Sequence, residues 1–204
     1  MATELIQNEI PYRHTDDLLA DSKGIIEAAR NFAYKAVNIA LVKRNWLLGK
    51  RIAEEELKGA GRAEYGKQLI QNLAASLTDA YGAGFDFGSL YKYVAFYKAF
   101  PILESLNPKS WALLSWTHYR KLLQVYDEEA RRWYLNEAAE QSWSVRTLQR
   151  NISSQYYERM LMSQHKELVK AEMLEITKPL QDRLEFIKNP IVAEFLGLSQ
   201  NTDF

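Results

Sequence analysis

Residues 137–160 read "EAAEQSWSVRTLQRNISSQYYERM". The Ala- and Glu-rich start suits a helix, because these side chains lose little freedom there. "QSWS" is a short polar break. Ser144 is placed to cap a second helix that carries Arg146, Gln149 and Arg150. Trp143, Val145, Leu148 and Ile152 fall on its inward side. The spacing predicts helix, turn, helix. Such a corner either reads DNA or only joins two packed helices.

A similar layout occurs at residues 77–97, "LTDAYGAGFDFGSLYKYVAFY". In a DNA-binding helix-turn-helix the second helix lies in the major groove, its N-terminal residues at base edges. That places Ser144, Arg146, Thr147, Gln149 and Arg150 as DNA-binding candidates in the later unit. Ser89, Tyr91, Lys92 and Lys98 take that place in the earlier one. Arg pairs bidentately with guanine and Gln with adenine. Arg120, Lys121, Arg131 and Arg132 lie on preceding helices and are candidates for phosphates. Residues 86–121 hold five cations against two acids, whereas 120–160 are nearer balance. A basic patch would therefore have to be assembled by folding.

Working outward, the rest of the chain also reads as helical. From Ser22 to Lys58 apolar residues recur at helical spacing, and Ile25, Phe32, Ile39 and Trp46 widen the stripe beyond one face. "KGAGR" at 58–62 is a break, and a second helix is expected from Tyr65 to Ala80. Gly82 and Gly84 suit the positive φ that closes a helix, and Asp86 suits the cap of the next. Residues 101–114 read as a loop with two prolines. Ser115 and Asp127 are placed as further caps, with Glu128 and Glu129 in a positive first turn. From Ser144 the helical pattern runs on to Pro179. No strand alternation is evident. The expectation is all-α: a multi-helix domain with long helices and two helix-turn-helix-like units. Residues 1–20 are expected as a flexible lead-in, 21–163 as the helical, helix-turn-helix-containing DNA-binding domain, and 164–204 as extended helix and linker.

Composition narrows the function classes. Lys+Arg and Asp+Glu each number 26, so the net charge is zero and neither favours nor excludes nucleic acid. There is no cysteine, hence no disulfide framework or thiolate metal site. The polar, acidic N-terminus does not resemble a signal peptide, and no apolar run of about 20 residues exists to span a membrane. A cytoplasmic protein is expected, with no membrane and no small-molecule substrate as partner. His14, His118 and His165 share no helical spacing with carboxylates. Glu56-Leu57-Lys58 mimics the E-x-K tail of a PD-(D/E)XK nuclease, but that motif belongs on a strand and here it ends a long helix. No catalytic or metal-ligating residue is assigned.

Four blocks carry a family resemblance: "ARNFAYKAVNIALVKRNWLLGKRIAEEE", "AEYGKQLIQNLAASLTDAYGAGFDFGSLYKYVAFYKAFP", "LSWTHYRKLLQVYDEEARRWYLNEAAEQSWSVRTLQRNISSQYYERM" and "LEFIKNPIVAEFLGL". In that order, over residues 25–198, the chain resembles the YhcG-like family, domain of unknown function 1016. The resemblance implies a helical N-terminal domain that binds DNA, followed by a PD-(D/E)XK nuclease domain. The nuclease's strand-borne acids and lysine find no counterpart before Phe204. The expected function is thus a DNA-binding, targeting module that is not itself an enzyme and holds no cofactor. Mg²⁺ is expected only for the missing nuclease domain. DNA is the expected partner. The alternative is a helical scaffold that self-associates through its long helices or binds proteins.

Overall fold

A computed structural model of the protein describes residues 14–58, 63–101 and 114–180. Among them are eight α-helices, one short 3₁₀ turn and no strand, as the sequence pattern predicts. The lead-in before His14, the proline loop at 102–113 and the linker after Leu180 lie outside the described residues.

The first helix, α1 (Leu18–Lys58), has 41 residues and is about 60 Å long at 1.5 Å per residue. Asp17 caps it by accepting the Ala20 N–H at 3.0 Å. Only its second half enters the core: Asn38, Leu41, Val42, Asn45, Ile52 and Ala53 are buried. Leu18, Leu19, Ile25 and Ile26 in the first half are exposed. The apolar stripe expected over 25–52 is therefore buried on one side of Asn38 alone.

Helix α2 (Ala63–Tyr81) ends at a turn where Gly82 and Gly84 take φ of 81° and 90°. Helix α3 (Phe87–Ala99) starts from Asp86, which accepts from the Ser89 N–H and hydroxyl. α3 lies against α1, and Gly49 marks a very close approach. A Cβ there would sit 1.9 Å from the Tyr93 carbonyl oxygen. Trp46 then donates its indole N–H to the Phe100 carbonyl at 2.7 Å, closing the far end of α3.

Helix α4 (Trp116–Leu122) joins α3 through rings. Phe96 meets Tyr119 at 4.7 Å between centroids and Trp116 at 5.4 Å, and Tyr93 meets Trp116 at 5.2 Å. Each such pair contributes about 0.5–1.5 kcal/mol beyond burial. Helix α5 (Glu128–Glu140) is capped by Asp127, which accepts the Ala130 N–H at 2.6 Å.

One expectation is corrected here. No continuous helix runs from Ser144 to Pro179. The stretch is three helices: α6 (Val145–Ser153), α7 (Tyr156–Met162) and α8 (Lys166–Thr177). Two local events break it. Gln155 adopts left-handed φ of 52°, while the Ser154 hydroxyl donates to the Asn151 carbonyl. Further on, Ser163 is extended and its hydroxyl takes the His165 N–H. Serine side chains compete with the helical ladder in this way.

Candidate nucleic-acid interface

Helix α6 carries the densest set of candidates, and its placement starts at the end of α5. Ser142 sits at φ 52°, and the Trp143 N–H donates to the Ala138 carbonyl at 2.9 Å. This is the six-to-one bond that closes a helix with a left-handed residue one before the donor. Trp143 is buried and turns the chain into α6. Ser144 then caps α6 by accepting the Thr147 N–H at 3.0 Å. Its own proton goes to the Leu180 carbonyl at 2.8 Å, so the Thr147 hydroxyl must be the donor in the 2.9 Å contact between the two side chains.

This geometry separates the candidates on α6. Ser144 and Thr147 are buried at 5% and 0% exposure, so both side chains are spent inside the protein. Leu148 and Asn151 are buried beside them. Arg146, Gln149 and Arg150 are exposed on the opposite side. The helix thus presents two guanidinium groups and one carboxamide on a single outer face, over a start fixed by two buried hydroxyls.

The remaining candidates divide in the same manner. Arg131 is half-buried and turned inward: its Nε donates to the Val125 carbonyl at 2.9 Å and a terminal nitrogen to the Tyr126 carbonyl at 3.0 Å. It clamps the loop between α4 and α5. Arg132 pairs with Glu128 at 3.2 Å, one turn away and exposed. Lys98 pairs with Glu56 of α1 at 3.2 Å. Ser89 is engaged by Asp86 at 2.6 Å. Arg120 is exposed and Lys121 half-buried on α4, which packs against α6. Tyr91 and Lys92 are exposed on α3. No group of three His, Asp or Glu side chains placed to hold a metal occurs among the described residues.

The family model described as the DUF1016 N-terminal domain matches residues 21–159. That is α1 through most of α7. The chain belongs to this family. It is also 31% identical over 205 aligned residues to an Escherichia coli (strain K12) protein called "Putative nuclease YhcG", covering 85% of this chain and 54% of that one. The chain therefore spans about half the length of this curated relative. No solved structure matches. No helix among the described residues is long and apolar enough to cross a membrane.

Within this DUF1016 N-terminal domain, two residues that position α6 escape a reading of spacing. His118 is 1% exposed. Its Nδ1 accepts the Ser115 N–H at 3.2 Å, which leaves Nε2 to donate to the Trp143 carbonyl at 2.9 Å. The imidazole thus caps α4 and pins the α5–α6 turn. Burial holds its pKa below the ordinary histidine value, against a smaller opposing effect of the Trp143 carbonyl. Tyr134 does the same for the other end of α6. Its hydroxyl accepts the Tyr157 N–H at 3.0 Å and donates to the Asn151 carbonyl at 3.2 Å. Burial pushes its pKa up to about 12. A cap-type serine three residues before His118 is the one local signal that could have marked the histidine.

Proposed function

We propose that this chain is the DNA-binding, targeting part of a PD-(D/E)XK nuclease-family protein, with cutting assigned to residues outside these 204. The observation that carries the reading is the outer face of α6, where Arg146, Gln149 and Arg150 are exposed on a helix whose start and inner face are fixed by buried contacts. These side chains suit guanine, adenine and phosphate. The nuclease half of the proposal comes from the name of the E. coli relative.

The test is titration of labelled duplex DNA at about 50 and 200 mM salt. Binding should weaken steeply with salt, as counterion release requires. Arg146→Ala and Arg150→Ala should each cost about 1–3 kcal/mol of affinity if they read bases, or flatten the salt slope by about one if they hold phosphate. Both variants should melt like the parent. A wild-type chain that gives no shift at low salt sinks the proposal.

A second reading rests on α1. Its exposed Leu18, Leu19, Ile25 and Ile26 form an apolar face that would suit self-association. Solution mass at rising concentration tests it, and a strict monomer counts against it.

A further inference from the structure

Four large aromatic side chains are exposed among the described residues, and three of them, Tyr81, Phe87 and Tyr91, surround the turn between α2 and α3. Such clustering points to a binding face, since isolated exposed rings would be scattered. Phe87 and Tyr91 lie one helical turn apart with ring planes within 28° and centroids 6.3 Å apart. Tyr81 leans on Phe85 at 5.8 Å. Across from them, the Arg44 guanidinium of α1 sits 5.0 Å over the Phe85 ring. Lys92 is exposed next to Tyr91. The acid within the turn, Asp86, is occupied by the Ser89 N–H and hydroxyl.

We propose that this turn is a stacking platform for unpaired bases of a DNA strand, separate from the α6 face. It rests on the DNA-binding reading above and narrows the ligand to DNA with a single-stranded portion. The outward groups here are ring faces. Ring faces gain most from unstacked bases, because the bases of a duplex are already stacked on one another. Two of the four candidates for base edges here are engaged within the protein: Ser89 by Asp86 and Lys98 by Glu56. Unpaired bases offer free π-faces, and the exposed Lys92 beside Tyr91 suits the strand's phosphates.

The experiment measures anisotropy of a labelled oligo-dT 20-mer and of a sequence-mixed duplex with the full 204-residue chain at low salt. Tyr91→Ala and Phe87→Ala should each weaken oligo-dT binding by roughly five- to hundred-fold and leave duplex binding unchanged. Tyr91→Phe, which keeps the ring, should bind like the parent. A 5-iodouracil oligonucleotide should photo-crosslink to the peptide holding Phe87 or Tyr91. Duplex binding lost in Arg146→Ala/Arg150→Ala while Tyr91-dependent oligo-dT binding remains would support both sites. Tyr91-dependent oligo-dT binding with no duplex binding would support the platform and overturn the α6 reading. The platform is overturned by absent oligo-dT binding, by a natively folded Tyr91→Ala that binds like the parent, or by Tyr91→Ala changing only the solution mass. That last result would make the turn a protein interface.

Discussion

The two helix-turn-helix-like units look alike in sequence and are built for different ends. In the earlier unit α3 is a core helix. Leu90, Tyr93, Val94 and Phe96 are buried, and its backbone rests on Gly49 of α1. In the later unit α6 gives one side to the core and leaves Arg146, Gln149 and Arg150 outside. The same layout thus leaves different outer faces: ring-bearing Phe87 and Tyr91 on α3, and Arg146, Gln149 and Arg150 on α6.

The comparison breaks most visibly at Gly49. Gly49→Ala forces a methyl group into the Tyr93 carbonyl, and neither backbone can yield without shifting a helix. We expect a loss of about 3 kcal/mol or more, at the upper end of overpacking costs, read as a lowered urea midpoint. An unchanged midpoint would show that α1 and α3 are not held this closely. Unit two has no such contact, so Arg146→Ala and Arg150→Ala should leave the same midpoint in place.

A smaller effect concerns the turn before α6. The unfolded His118 has an ordinary pKa, about 6.5, and folding lowers it by burial. The unfolded chain therefore binds the proton more readily. Stability from this group is complete above about pH 6.5 and falls as pH drops below it, by at most about 1.4 kcal/mol per unit. Denaturation of the parent and of His118→Gln at pH 7.5, 6.5 and 5.5 should give a steeper acid loss in the parent. Parallel slopes would remove His118 from the α4–α6 link.

The least effect is at Ser142. A left-handed residue other than glycine is strained by about 1 kcal/mol, and Ser142 sits at φ 52°. Ser142→Gly should raise stability by a few tenths to about 1 kcal/mol. In the earlier unit glycine already fills the positive-φ positions 82 and 84, so no such gain is available there. A destabilised Ser142→Gly would mean that the serine side chain does more than close α5.

The parts of this fold legible in the sequence are those set by near neighbours. Asp86, Asp127 and Ser144 cap the helices that follow them, because a cap needs only a polar side chain and a free N–H three residues on. The breaks at Gln155 and Ser163 were hidden, because neither carries glycine or proline and the apolar pattern continues across both. The candidate set shows the same limit. Spacing marks Arg131 and Arg146 alike, yet one guanidinium is folded onto loop carbonyls and the other lies on an exposed face. Ser144 and Thr147 fit a groove-facing position in sequence and are buried in the fold, since α6 needs both hydroxyls for its own start. The tyrosine bridge from Tyr134 to Asn151 and Tyr157 spans 17 and 23 residues, beyond the reach of any periodicity.

The bond from Ser144 to the Leu180 carbonyl has a mechanical meaning. It fastens the chain's path at Leu180 to the first turn of the arginine-bearing helix. Whatever follows Leu180 in the chain therefore starts from a fixed point beside that helix. Tilting α6 would pull that point along with it.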